Sequence, residues 1–414
     1  MGEGPVISDA VLSLDAEVSP PNLRQVGRLR VLEALYRLPG TARTELVRVT
    51  GLSRATVSSV VDELIRSGMV VEFEELSDTR PVTTGRPPVL LTLSQSAAFA
   101  IGLDFGHDHI RVAVCDLSGN AVVDDWSAAE VDYSPENSFD LAQSLVSKAL
   151  GRAGVDPGRL LGVGMGLAAP MNGQTGELHA EGILPGWRGI RPAQEMETRL
   201  GIPVQLENDA NVGALGERAF GAAMGADNVI YVRLSAGIGA GLILDGRPYT
   251  GAGGLAGELG HVFVQEEGLI CRCGNRGCLE TVASSTAVTR LLEQSLSQCV
   301  TLEKLLEMVA AGDRGAIRSV TDAGHAIGRA LAGFVNALNP ETIVVGGELS
   351  AAGSALLDPL TAAVRLYSVA PSAAMVKIVP GMLGDRAEVL GAAALLLERA
   401  PAALAQQLAA SPAA

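Results

Sequence analysis

The chain reads as an α/β protein of two similar lobes facing a cleft, preceded by a small α+β winged helix-turn-helix module. Three observations predict this architecture. Between Thr44 and Ser67, two short helical patterns join through Gly51 and are followed by two strand patterns, the grammar of a winged helix-turn-helix. From Ala98 onward, apolar β-branched strands alternate with glycine loops: Leu161–Gly166, Val229–Leu234 with Gly237-Ile-Gly-Ala-Gly241, and Thr342–Gly347. At 414 residues, rich in glycine and poor in aromatics, the chain is long enough for two or three domains with real cores.

Residues 1–21 carry Gly, Ser, Asp and Pro-Pro without periodicity, and a flexible tail is expected there. From Leu23 to Leu38, Val26, Leu29, Leu32 and Leu35 recur every three positions, which predicts an amphipathic helix ended by Pro39-Gly40. Thr44 is expected to cap a short helix, Glu45–Thr50, that stops at Gly51. Ser53 caps a third helix through about Ser67, with Val57, Val60, Val61, Leu64 and Ile65 as its buried stripe. Strands Met69–Leu76 and Val89–Leu93 would form the wing.

The third helix presents Ser53, Arg54, Thr56, Ser58 and Ser59 near its N-terminal end, suited to a major groove. Arg86, on the Gly85-Arg86-Pro87-Pro88 turn, is suited to a narrow minor groove. The competing readings are a three-helix protein-docking module and, for Arg86, a solvated turn. The formal charge of −15 excludes a chain that coats nucleic acid over its whole surface, yet residues 22–66 carry eight arginines against four acids. Any DNA contact therefore belongs to the front of the chain.

In the lobes, Ile101–Gly106, Ile110–Leu117 and Ala121–Asp125 predict a β-meander. The stretch from Glu258 to Glu280 holds His261, Cys271, Cys273 and Cys278. One imidazole and three thiols at Cys-x-Cys-x4-Cys spacing are the donor set of a closed tetrahedral zinc site. Glycines at 274 and 277 let the loop turn. The alternative, three buried or disulfide-forming cysteines, suffers from crowding three thiols into eight residues. Cys115 and Cys299 lie in apolar or amphipathic stretches and are expected to fill core. This cysteine usage favours a reducing compartment, and no basic region leads an apolar run that would mark a leader or a membrane span. A cytoplasmic protein without membrane contact is expected.

With these motifs in place, nearly the whole chain resembles the ROK family (repressors, open reading frames, kinases), in the branch with an N-terminal winged helix. The resemblance implies an actin-like, ribonuclease H-like two-lobed sugar kinase fold over Ile101–Gly391, with structural zinc shaping the sugar pocket. The expected domains are a tail over 1–21 and a DNA-binding domain over 22–95. Lobe I then spans 96–208 and 385–404, lobe II with the sugar pocket and zinc site spans 209–384, and a flexible tail covers 405–414. Asn208, Asp209, Glu258, His261 and Glu280 would contact sugar hydroxyls, and Asp209 stands where kinases carry the general base. The phosphate loops depart from the kinase pattern. Kinases resemble Asp-x-Gly-Gly-Thr, where this chain has Asp104-Phe105-Gly106-His107-Asp108, and Ala236 replaces a threonine in the second loop.

The expected function is a sugar-responsive regulator, acting as a repressor, that binds a palindromic DNA operator as a homodimer or homotetramer and is not an enzyme. The alternative is an ATP-dependent sugar kinase with an attached DNA-binding domain. A further possibility is a constitutive DNA-binding protein governed by a protein partner.

Overall fold

The computed structural model describes residues 23–74, 89–172, 175–178 and 182–410. The chain forms two compact units, one of residues 95–400 and one that joins residues 1–94 to 401–414. The tail expected over 1–21 and the turn bearing Arg86 lie outside the described residues.

In the N-terminal unit, helix α1 (Leu23–Arg37) leads through strand β1 (Thr41–Ala42) into α2 (Arg43–Thr50) and α3 (Arg54–Arg66). Strands β2 (Val70–Glu74) and β3 (Val89–Leu93) follow, and the three strands pair antiparallel in the order β1-β3-β2. This is a winged helix-turn-helix. The turn works because Gly51 takes φ +69, closing α2 with an N–H to the Val47 carbonyl, and because the Ser53 hydroxyl accepts from the Thr56 amide at the start of α3.

Two details differ from the expectation. The α1 stripe that is buried is Gly27, Arg28, Val31, Leu32 and Leu35, because Arg28 turns inward to pair with Glu63 of α3. Helix α2 begins at Arg43 after Ala42, with Thr44 inside it: Ala42 is already held extended by pairing with Leu90, so helix geometry starts one residue later and no side-chain cap is made.

The second unit holds two five-stranded sheets. The first lobe contributes β4 (Phe99–Phe105), β5 (His109–Asp116), β6 (Ala121–Ala128), helix α4 (Pro135–Ala153), β7 (Leu160–Leu167), α5 (Pro192–Leu200) and β8 (Val204–Asn208). Helix α6 (Asp209–Phe220) crosses to the second lobe, with β9 (Val229–Leu234), β10 (Ile238–Leu244), β11 (Arg247–Pro248), α7 (Glu280–Ala283), α8 (Ser285–Leu296), α9 (Leu302–Ala310) and α10 (Arg314–Leu338). Strand β12 (Thr342–Gly346), α11 (Ser354–Tyr367), α12 (Ala370–Met375), β13 (Lys377–Pro380) and α13 (Ala387–Leu397) complete the unit.

The sheet orders are β6-β5-β4-β7-β8 and β11-β10-β9-β12-β13. In each, the first three strands of the lobe pair antiparallel as a meander and the last two add in parallel beside the first. One design is used twice. A separate apolar core fills each lobe, and a third joins α6, α13 and the second sheet.

Glycines set how closely helix α13 approaches. A β-carbon on Gly102 of β4 would lie 1.9 Å from the Val389 carbonyl, one on Gly164 of β7 1.8 Å from that of Ala392, and one on Gly391 1.6 Å from that of Val212 in α6. Backbone therefore meets backbone along α13.

The tail expected over 405–414 is corrected in part: residues 405–410 lie in helix α14 (Ala400–Ala410), which has Leu404 and Leu408 buried and groups with the N-terminal unit, while 411–414 lie outside the described residues. Its apolar spacing, Leu404 and Leu408 one helical turn apart, gives it a face to bury. Cys115 is buried on β5 as expected, whereas Cys299 is exposed in the turn after α8, since that short amphipathic stretch ends before it. Among the described residues no helix is long and apolar enough to cross a membrane.

Candidate functional site

The two sheets of the second unit face an open cleft lined by His107, Asn208, Asp209, Arg233, Glu258, His261, Arg272 and Glu280, among others. Between glycines and small apolar residues the lining carries carboxylates, amides and guanidinium groups, which match the alternating donors and acceptors of a polyol.

Each expected cleft residue has a local reason for its position. Asn208 ends β8 and caps α6: its Oδ1 accepts from the Ala210 and Asn211 amides, while its Nδ2 donates to the Ala169 carbonyl. Asp209, the first residue of α6, is nearly buried and sits 3.3 Å from the Arg233 guanidinium. Glu280 opens α7 and is held at both oxygens, by Arg272 Nε at 2.8 Å and the Ile238 amide at 3.2 Å. Glu258 is the half-exposed one. Burial, then the Asp209 and Glu280 charges, push its carboxyl up to about 6, so it can present a proton or a lone pair to a hydroxyl near neutral pH. His261 Nε2 lies 3.7 Å from Glu258, and its Nδ1 points the other way, 3.6 Å from Cys271 Sγ.

His261, Cys271, Cys273 and Cys278 bring their donor atoms within 4.8 Å of one another. The Cys273–Cys278 sulfur separation is 3.7 Å. Four ligands at roughly 2.3 Å around a tetrahedral ion stand roughly 3.8 Å apart, close to the Cys273–Cys278 and His261–Cys271 separations, so the cluster could hold a thiolate-bound metal ion. The loop geometry supports it. Gly274 and Gly277 take φ +89 and +72, and a β-carbon on Gly277 would lie 1.8 Å from the Gln265 carbonyl. No other residue fits there.

Four charged residues of the cleft region escaped the sequence reading. Arg233 stands in the otherwise apolar β9, buried against Asp209, Glu388 at 3.1 Å and Glu348 at 3.9 Å. Glu388 of α13 also accepts from the Tyr231 hydroxyl at 2.9 Å. An arginine in an all-apolar strand was the one available signal. Arg272, between two of the cysteines, ties the metal loop to Glu280. His109 follows the first phosphate loop and bonds Asp104 and Asp108, whose carboxylates hold its imidazolium pKa up at about 10. His107, the bulky substitute in that loop, uses Nδ1 on Asp132 at 2.7 Å, which leaves Nε2 as the nitrogen toward the cleft. Ala236 presents its carbonyl to the Thr286 hydroxyl and offers no side-chain donor.

In the N-terminal unit, Ser53, Arg54, Ser58 and Ser59 are exposed and Thr56 is half-buried, while Val57, Val60, Val61 and Leu64 face inward. The polar residues thus share the outward side of the first two turns of α3.

The family model described as "ROK family" matches residues 100–399, and a MarR family model matches residues 24–80. The xylose repressor of Bacillus subtilis strain 168 is 29% identical, covering 91% of this chain and 96% of that protein. The DNA-binding transcriptional repressor Mlc of Escherichia coli K12 is 28% identical, over 91% and 95%. A glucokinase of Thermotoga maritima is 35% identical over 57% of this chain and 79% of its own length. Among solved structures, a ROK family transcriptional regulator described as a homologue of the E. coli protein superposes with a TM-score of 0.78 at 25% identity. It covers 94% of this chain and 100% of that one. A Streptomyces griseus ROK glucokinase in complex with glucose and AMPPNP gives 0.66 at 29%, over 73% and 100%. With its twice-used five-stranded sheet, its Cys3His loop and these matches, the chain belongs to the ROK family.

Proposed function

We propose that the protein is a sugar-responsive transcriptional repressor: α3 reads an operator, and the kinase-like unit is a sensor for a sugar or sugar derivative. One observation carries the reading. Proteins named as repressors align over 91% of this chain and nearly all of their own length, so the winged unit and the ROK unit are matched together rather than separately. The sensor assignment is supported by a polar cleft whose phosphate loops carry His107, Asp108 and Ala236, with an aspartate placed where it repels a polyanion.

In this reading Asn208, Asp209, Glu258, His261 and Glu280 meet sugar hydroxyls. Zinc, held by His261, Cys271, Cys273 and Cys278, fixes the loop that carries His261 and leaves its Nε2 for the ligand. Ser53, Arg54, Thr56, Ser58 and Ser59 contact DNA together with Arg86. A palindromic operator requires two copies of the unit, so the active species is a homodimer or a higher homo-oligomer.

The ligand shifts DNA affinity only by binding the two conformations unequally. The test is fluorescence anisotropy of a duplex selected from random DNA by the zinc-loaded protein, with D-xylose and D-glucose as probes. A sugar at saturation should weaken binding about 5- to 150-fold. A protein that selects no duplex at all would sink the repressor assignment.

A second reading, an ATP-dependent sugar kinase, is favoured by the retained aspartate at 209 and the 35% identity to a glucokinase. It predicts ATP turnover with D-glucose that Asp209→Asn abolishes. Against it, Arg233 at 3.3 Å from Asp209 holds the would-be base as a paired carboxylate.

A further inference from the structure

His109, immediately beyond the first phosphate loop, folds its ring back over that loop. A β-carbon on Gly106 would come 2.3 Å from His109 Cε1 and 2.6 Å from its Nδ1. The ring is anchored at both nitrogens, Nε2 3.2 Å from Asp104 Oδ2 and Nδ1 2.8 Å from Asp108 Oδ1. The Asp104 side chain is only 2% exposed, and its Oδ1 meets no donor among the described residues. His109 is therefore the contact partner that offsets this buried carboxylate.

A loop that cradles phosphates presents open glycine amides, and a divalent cation that accompanies a nucleotide needs carboxylate oxygens facing free space. Here the Gly106 amide already donates to the His109 carbonyl at 3.0 Å, and the Asp104 carboxylate is buried, with Oδ2 on His109 Nε2. The second loop repeats the pattern: a β-carbon on Gly237 would stand 2.8 Å from both Arg272 and Glu280. The residues present do not fit a metal–nucleotide complex.

We propose that His109 is a built-in counterion that takes the place of a divalent cation beside Asp104 and covers the first phosphate loop. The histidine supplies from within the chain the positive charge that a metal would bring from solution. The cleft is thereby committed to a neutral polyol without nucleotide. The inference rests on the sensor reading only in holding that the cleft does not use ATP, and is independent of which sugar or DNA is bound.

Removing the imidazole leaves a buried bare carboxylate beside Asp108, an arrangement that recruits a cation. The experiment is Mn²⁺ titration of the full-length, zinc-loaded protein followed by electron paramagnetic resonance. Wild type should take up no Mn²⁺ in an Asp104-dependent way. His109→Ala should gain one site, with affinity tightened on the order of a hundredfold, that is lost again when Asp104→Asn is added. His109→Gln, which keeps the size and drops the charge, should gain a weaker site and serves if the alanine variant does not fold. Mn²⁺ binding by wild type that Asp104→Asn removes, or His109 variants that bind no better than wild type, would overturn the inference. Transfer of phosphate from ATP by wild type would instead sink the sensor reading itself, so the two failures are distinguishable.

Discussion

Arg233 is the residue on which the charge of the cleft converges. It is buried beside Asp209, Glu388 and Glu348, and a buried guanidinium needs such paired, hydrogen-bonded carboxylates to be tolerated. Burial pushes the Glu388 carboxyl up to about 7, against the pull of Arg233, with Asp104 and Asp209 adding to the rise. A folded-state pKa above the usual value of 4.5 contributes stability that is complete below that value and is lost as pH rises through about 7. Glu388→Gln, which keeps an oxygen for Arg233 and Tyr231, should therefore flatten the dependence of melting temperature on pH between about 5 and 8. A variant with the wild-type slope would assign that slope to another group. At the metal cluster, Cys273→Ser should lower zinc content from about one ion per chain to well below it, measured by atomic emission after dialysis. Full occupancy in that variant would remove Cys273 from the ligand set. The contrast between these sites explains what could be read in advance. The three thiols fall within eight residues, so their meeting follows from local turns at Gly274 and Gly277. Arg233 and Glu388 are 155 positions apart, and only the packing of α13 on the second sheet brings them to 3.1 Å.

Among the elements, α13 depends most on what is missing from side chains. Its approach to β4, β7 and α6 is possible only because Gly102, Gly164 and Gly391 leave room for carbonyl oxygens. Gly391→Ala puts a methyl group 1.6 Å from the Val212 carbonyl. Relaxing that clash should cost about 1–3 kcal/mol or more, read as a drop in melting temperature, whereas Gly151→Ala, with open space around it inside helix α4, should raise stability by about 0.5–1 kcal/mol. Equal melting temperatures would mean that α13 shifts freely. The strands themselves were legible as apolar runs ended by glycine. Their order was not, because the pairing of β9 with β12 joins segments about a hundred residues apart. Thr44 was misread for a similar reason: a good capping residue lost to a neighbour already extended by the β1–β3 pairing.

At the scale of the whole molecule, the two units carry different tasks. Two copies of α3 must stand about 34 Å apart, or a multiple, to enter successive major grooves on one face of DNA. Arg54→Ala should weaken operator binding about tenfold in an anisotropy titration while leaving sugar-induced thermal stabilisation intact. Loss of both together would show a folding defect rather than a lost contact. The winged unit is also discontinuous in sequence, since residues 401–410 group with it after the entire kinase-like unit has been made. Synthesis runs from the N-terminus, so the DNA-reading unit acquires α14 only when the sensor has left the ribosome. A chain broken off at any point inside the sensor carries a reader lacking that helix.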